Sequence, residues 1–169
     1  MFHKILVAIN DTEIGQQVFK ETLSLATATN AELLLLHIIS PVEDGELNLF
    51  SLQTDSIYGS FHTRGVEYYV RQWEALKKHG IEFLTLLTNQ AIAQNVNAEF
   101  VQEIGAPGPL ICEIAQTWKA DLIIIGRRGL SGINEFLLGS VSNYVLHHAS
   151  CSVLTIQRKI PVTKNVTSQ

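Results

Sequence analysis

The sequence predicts an α/β protein with a doubly wound sheet of five parallel strands and helices on both faces. Short β-branched runs alternate along the chain with segments of helical period, which is typical of parallel strands joined by crossover helices. One run, Asp121–Ile125, is apolar on both faces, as a central parallel strand requires. The 169 residues suit one domain with a substantial core, which we place at residues 1–157. The predicted strand order is 3-2-1-4-5.

The first half of the chain begins with a strand, a helix and a second strand. His3–Ile9 is the first strand, and the polar residues Asn10–Thr12 after it can cap a helix. The apolar face of that helix consists of Val18, Phe19, Thr22, Leu23 and Ala26. Glu32–Ile39 is the second strand. Residues 40–62 then show no clear period and predict a long connection, of a kind that is often functional or disordered.

Helical period returns at Thr63 and lasts to about Asn95, either as one kinked helix or as two helices separated at Gly80. The length of residues 80–95 makes this crossover large and gives a candidate contact surface. Ala98–Ile104 is the third strand. The next helix is expected to have Pro109 near its first position, where a missing N–H costs nothing.

The last part of the chain supplies the remaining strands. The fourth strand leads into Gly126, and a short helix is predicted at Gly132–Leu138. The last helix begins at Ser140 and ends around His148, before a fifth strand at Ser152–Gln157. Residues 158–169 predict a frayed tail. Together these elements predict a Rossmann-like sheet, which binds ligands at the carboxyl ends of the strands where the strand order reverses.

Composition excludes several classes of function. The net charge of −4 and the lack of a basic run argue against a nucleic-acid or anionic-membrane surface. The apolar runs are far shorter than the roughly 20 residues of a membrane span. The N-terminus lacks a small-residue cleavage site, so we expect a cytoplasmic protein. Cys112 and Cys151 lack metal-ligand spacing and are interpreted as buried thiols.

The segment GRRGLSGINEFLLGS carries the clearest chemical signal. It combines the Gly-x-x-Gly pair of Gly126 and Gly129 with the Gly-Ser pair of Gly139 and Ser140. Glycines can adopt positive φ and let the backbone approach a phosphate, and a helix starting at Ser140 would add unpaired N–H donors. Arg128 is a candidate phosphate partner, although loop arginines are more often only solvated. The P-loop and Gly-x-Gly-x-x-Gly signatures are missing from the sequence, so efficient phosphoryl transfer and NAD binding are unsupported.

Four stretches of the sequence resemble the universal stress protein family: KILVAIN, LLLLHII, ADLIIIGRRGLSG and GSVSNYVLHHASCSVLTIQ. The Gly-x2-Gly-x9-Gly-Ser spacing marks the members of that family that bind ATP. The resemblance implies a small regulatory protein in the stress response, usually a homodimer joined by its last strands, that holds ATP or AMP with a divalent metal such as Mg²⁺. It implies no dedicated catalysis and at most slow ATP hydrolysis.

The resemblance also implies a set of nucleotide contacts. Ile38 matches the backbone position that reads the adenine edge, and Ile125 would pack against the base. The residues matching the first strand exit are Ala8, Ile9, Asn10 and Thr12. Those matching the phosphate and ribose segment are Gly126, Gly129, Gly139, Ser140, Val141 and Ser142. The family usually has an acidic residue where this chain has Asn10, which puts the metal in doubt.

Three functional hypotheses follow. The first is a nucleotide-gated regulatory dimer in which ATP orders the Gly126 loop and residues 40–62. The second is a slow ATP hydrolase or adenylyl-transferring enzyme, and the third is a pure interaction dimer with an empty pocket. The dimer would form through the last strand, whose Val153, Leu154 and Ile156 would leave an apolar sheet edge exposed in a monomer. The protein partner and the signal are not identifiable from the sequence.

Overall fold

The computed structural model describes residues 1–40, 62–127 and 139–157. Within these ranges, five parallel strands form one sheet in the order β3-β2-β1-β4-β5, as predicted. The strands are β1 (Lys4–Ala8), β2 (Glu32–Ile39), β3 (Ala98–Ile104), β4 (Leu122–Arg127) and β5 (Ser152–Gln157). The helices are α1 (Glu13–Thr29), α2 (His62–Ala93), α3 (Pro107–Trp118) and α4 (Ser140–His148).

The sheet separates two hydrophobic cores, because successive strand side chains point to opposite faces. On one face, α1 and α2 pack over the sheet in a first core that includes Ile5, Leu35 and Ile124. On the other, α3 and α4 pack over a second core that includes Leu6, Leu34, Leu36, Ile123 and Ile125. The central strands are therefore apolar on both faces, as the sequence predicts.

Helix α2 is one continuous helix of 32 residues and not two. Gly80 does not interrupt it. A Cβ at Gly80 would lie 2.8 Å from Nδ1 of His37 and closer still to the side chain of Gln102. The glycine thus allows α2 to lie close to β2 and β3, a packing requirement that sequence periodicity alone does not reveal.

Several boundaries differ from the prediction by one or two residues, among them both ends of β1, which is Lys4–Ala8 and not His3–Ile9. Helix α3 begins at Pro107, so Pro107 and not Pro109 takes the first position. Strand β4 continues through Gly126 and Arg127, which pair with Ile156 and Gln157 of β5. The pairing with β5 extends β4 by two residues beyond the apolar run that defined it in the sequence.

Several predictions lie outside the described residues: the connection within 41–61, Arg128, Gly129, the short helix at Gly132–Leu138 and the tail at 158–169. In the described part of the chain, no helix is both long enough and apolar enough to cross a membrane.

Candidate functional site

A cavity of about 260 Å³ opens at the carboxyl ends of β1 and β4. From β1 the chain proceeds outward to β2 and β3, and it then crosses back to β4 on the other side of β1. The strand order therefore reverses between β1 and β4 and creates a crevice there. We call it the strand-end cavity. Of the sequence-predicted site residues, those that line it are Ala8, Ile9, Asn10, Ile38, Ile125, Gly126, Gly139, Ser140, Val141 and Ser142.

Apolar residues from three neighbouring strands form part of the cavity wall. Ala8 pairs in register with Leu36 of β2 and with Ile125 of β4, so the three residues lie side by side across the sheet. Leu36 and Ile125 belong to the second core and are almost fully buried. These residues form an apolar part of the cavity lining, of the kind that small-molecule sites commonly have.

The polar part of the cavity lining comes from the start of α4. Gly139 is the N-cap of α4 and has no side chain that could cap the helix. The N–H groups of the first helical turn have no acceptor within the helix, and they carry the partial positive charge of a helix N-terminus. Ser140, Val141 and Ser142, which form this turn, all line the cavity. The arrangement is therefore suited to an anion.

Neither Gly126 nor Gly139 has a positive φ, so the structure does not confirm that part of the sequence-based reasoning for these two glycines. Gly139 has φ −54° and ψ 155°, values open to any residue. Gly126 lies inside β4, and a Cβ there would come within 3.0 Å of Val18 and 3.2 Å of Ile14. Gly126 thus lets α1 pack closely against the end of β4, beside the cavity.

Thr12 does not line the cavity and instead caps α1. Its Oγ1 accepts a hydrogen bond of 3.2 Å from the backbone N–H of Gly15. The same hydroxyl donates a 2.8 Å bond to Oδ1 of Asn10. Thr12 therefore fixes the side chain of Asn10, which does line the cavity.

The two serines of α4 differ in exposure. Ser140 is exposed at the first position of the helix. Ser142 is 4% exposed, and its hydroxyl lies 3.5 Å from the carbonyl oxygen of Gly126, at the limit of a hydrogen bond. Ser142 therefore connects α4 to the end of β4, whereas Ser140 is an exposed residue of the cavity lining.

Sequence reasoning missed several lining residues. Ser40, a buried polar residue, directly follows β2, and its place after a parallel strand was a usable signal. Ile14, Gly15 and Val18 come from the first turns of α1, and Pro107 and Ile111 from α3. The approach of these helices depends on tertiary packing that no local pattern encodes.

His37 also lines the cavity, but its ring is held from outside it. Nδ1 of His37 lies 3.3 Å from Oε1 of Gln102, and Nε2 of Gln102 donates to the carbonyl oxygen of Lys77 at 3.1 Å. The packing of α2 on β3 therefore fixes the ring, which suits a wall residue better than a catalytic base.

The described cavity lining carries no Asp, Glu, Lys or Arg. Asp11, next to Asn10, points elsewhere: its carboxylate lies 3.0 Å from Nε2 of His79 on α2. Among the described residues, no group of three or more His, Cys, Asp or Glu side chains could hold a metal. Mg²⁺ usually requires one or two carboxylates together with substrate phosphates, so these residues do not fit a protein-held Mg²⁺.

The two cysteines lie away from the cavity and against the second core. Burial raises the pKa of the Cys112 thiol. Burial also raises the pKa of the Cys151 thiol, and the negative charge of Asp121 adds to the effect. Both thiols therefore stay protonated at neutral pH and are poor nucleophiles. Both cysteines are partly buried and not fully buried as the sequence predicted.

The family follows from comparison with known proteins. The sequence model of the universal stress protein family matches residues 1–157. The chain belongs to this family. The universal stress protein Sll1388 of Synechocystis sp. is 33% identical over 156 residues, which cover 92% of this chain and 98% of that protein.

Two solved structures of the family share the fold. A protein of Arabidopsis thaliana, At3g01520, was crystallised with AMP bound; it is 24% identical with a TM-score of 0.62, and the match covers 93% of this chain and 92% of that one. A universal stress protein in complex with cAMP is 22% identical with a TM-score of 0.59, over 92% of this chain and 97% of that one.

Proposed function

We propose that this universal stress protein binds an adenine nucleotide, ATP or AMP, in the strand-end cavity and acts as a nucleotide-dependent regulatory dimer in the stress response. The observation that carries the proposal is the uncapped N-terminus of α4 beside an apolar wall at the switch point of the sheet. The relatives crystallised with AMP and cAMP support it, because they have the same fold.

The two walls of the cavity suit the two ends of a nucleotide. Ile125 and Leu36 provide apolar contact for the base, with the backbone of Ile38 at its edge. The first turn of α4, with the Ser140 hydroxyl, provides donors for the phosphate. Arg128 and Gly129, which lie outside the described residues, remain part of the proposed phosphate segment.

The lining favours binding over turnover. General base catalysis needs a group within hydrogen-bond reach of the attacking water, usually a histidine or a carboxylate. The described lining holds no carboxylate, and the ring of His37 is held by Gln102. We therefore propose a regulatory protein with at most slow ATP hydrolysis.

Dimerisation is proposed through β5. This strand lies at one edge of the sheet and carries Val153, Leu154 and Ile156. Leu154 is 42% exposed. Antiparallel pairing of β5 with β5 of a second copy would cover this edge and satisfy its backbone groups.

Calorimetric titration with ATP and AMP tests the binding proposal, with Gly139→Val as the variant. A side chain at Gly139 meets no described atom within 4 Å, so the variant should fold. A valine there would project at the N-terminus of α4 and displace the phosphate, so we expect affinity to fall at least about tenfold, the loss of one hydrogen bond to a charged group.

Ala93→Val is the matched control, since Ala93 is exposed at the end of α2, at the opposite end of the sheet. Equal nucleotide affinity in Gly139→Val and Ala93→Val would refute the site. A wild-type protein that binds neither ATP nor AMP would instead favour the interaction dimer with an empty pocket. Turnover of ATP above that of Gly139→Val would favour the slow hydrolase.

A further inference from the structure

We propose that a short segment of α2, residues 77–80, positions two walls of the strand-end cavity, and that α2 therefore responds when the cavity is filled. The two walls are the turn after β1, which contains Asn10, and the end of β2, which contains His37. Each wall is joined to the segment by its own side-chain contacts. The inference rests on the proposed nucleotide function and concerns how that site is held and regulated.

The first link joins α2 to the turn after β1. Nε2 of His79 lies 3.0 Å from the carboxylate of Asp11, which directly follows Asn10. Thr12 bonds the same turn twice: its backbone N–H donates to the carbonyl oxygen of Asn10 at 2.9 Å, and its hydroxyl donates to Oδ1 at 2.8 Å. The turn is therefore tightly bonded, so a movement of Asp11 relative to α2 also moves Asn10.

The second link joins α2 to the end of β2 through β3. Nε2 of Gln102 donates to the carbonyl oxygen of Lys77 at 3.1 Å, and Oε1 of Gln102 lies 3.3 Å from Nδ1 of His37. Gly80 adds direct packing, because a Cβ there would lie 2.8 Å from the same ring nitrogen. The His37 ring thus lies close against α2, and a shift of α2 at this point displaces the ring.

Both links meet α2 within one helical turn. Lys77, His79 and Gly80 lie within about 5 Å along the helix axis, at a rise of about 1.5 Å per residue. A ligand that restrains Asn10 and His37 from inside the cavity therefore restrains this turn of α2 as well. Coupling of this kind is reciprocal, so a change that displaces the turn alters the affinity for the ligand by the same factor.

Hydrogen exchange of the full chain, measured by mass spectrometry with and without saturating AMP, tests the response of α2. The N–H groups of residues 81–84 bond to the carbonyl oxygens of residues 77–80 in the helix. At labelling times short enough to report local opening, AMP should slow their exchange at least about twofold. The double variant His79→Ala with Gln102→Met removes the side-chain hydrogen bonds of both links, so at saturating AMP this slowing should be lost.

Calorimetric titration with AMP measures the coupling from the side of the ligand. His79→Ala should weaken binding about two- to fivefold, a small factor because the Asp11–His79 pair is exposed to solvent. In an Asp11→Asn background the same change should cost nothing further, since the charge of the carboxylate is already removed. His147→Ala is the matched control, because His147 is an exposed histidine in the last turn of α4, away from the cavity. It should bind AMP as the wild type does.

Four outcomes would each overturn the inference while AMP still binds and the proposed function stands. The first two are unchanged exchange of residues 81–84 in wild type with AMP, and wild-type slowing in the double variant. The others are a His79→Ala variant that binds AMP as His147→Ala does, and one that loses affinity equally in both Asp11 backgrounds. A wild-type protein that binds neither ATP nor AMP would overturn the proposed function, and this inference with it.

Discussion

At the scale of single residues, Gly15 shows how the start of α1 and the cavity depend on each other. A Cβ at Gly15 would overlap the carbonyl oxygen of Asn10 and lie 3.2 Å from its Oδ1. Helix propensity alone would make Gly15→Ala stabilising by about 1 kcal/mol. Because the overlapping atom belongs to the backbone, we expect the steric cost of about 1–3 kcal/mol to exceed this gain.

Gly15→Ala should therefore lower the free energy of unfolding, measured by urea denaturation, and should weaken AMP binding because Asn10 is displaced. Gly139→Ala is the comparison, since a Cβ there meets no described atom within 4 Å. It should change stability by less than about 1 kcal/mol. A stabilised Gly15→Ala variant would show that β1 can shift without cost.

The sequence located most residues of the cavity wall, but two of the predicted site residues also have packing or capping roles that the glycine motif does not show. Gly126 was predicted to let the backbone approach a phosphate, and in the structure it also allows the close approach of Ile14 and Val18. Thr12 was predicted as a possible helix cap and, from the family resemblance, as a ligand contact; it does cap α1, and it also orients Asn10. A motif gives spacing along the chain, whereas these roles depend on where α1 packs.

At the scale of elements, the contact between α3 and α4 positions one wall of the cavity. A Cβ at Gly108 would lie 2.8 Å from Cδ1 of Tyr144. The Tyr144 ring cannot move freely, because it stacks on His148 with ring centroids 4.0 Å apart. Gly108 is therefore needed for the close packing of the two helices, and α4 begins at the cavity.

Gly108→Ala should push α4 outward, destabilise the fold by about 1–3 kcal/mol and weaken AMP binding. In a Tyr144→Ala background the ring is gone, so the same change should cost little. Urea denaturation of the four proteins of this double-mutant cycle measures the coupling, which we expect to be about 0.5–3 kcal/mol. If Gly108→Ala lowered the free energy of unfolding equally in the wild-type and the Tyr144→Ala backgrounds, the close contact between Gly108 and Tyr144 would be contradicted.

Elements with a strong period were predicted more accurately than those shaped by packing. The bounds of β2, β3 and β5 agree with the prediction residue for residue, because polar or turn residues flank each apolar run. The sequence left open whether α2 continues through Gly80, because a glycine commonly interrupts a helical pattern. The structure shows that the helix continues there, packed against β2 and β3.

At the scale of the whole molecule, the strand order was predictable because alternating strands and helices permit few topologies. The cavity position followed from that order. Its donor set did not, since the bonds between Asn10 and Thr12 and between Asp11 and His79 depend on side-chain directions at the ends of β1 and α2. The two edges of the sheet also differ in charge, which bears on dimer formation.

The edge at β3 carries Glu99 and Glu103, charges that oppose pairing with another strand. The edge at β5 reads SVLTIQ and carries no charge, so we expect two copies to pair there. Leu154→Glu would place a charge in that interface and should give a monomer in sedimentation velocity. Leu86→Glu makes the same change at a leucine that is 57% exposed on α2, and should leave the dimer intact. A wild-type monomer, or a dimeric Leu154→Glu variant, would refute pairing through β5.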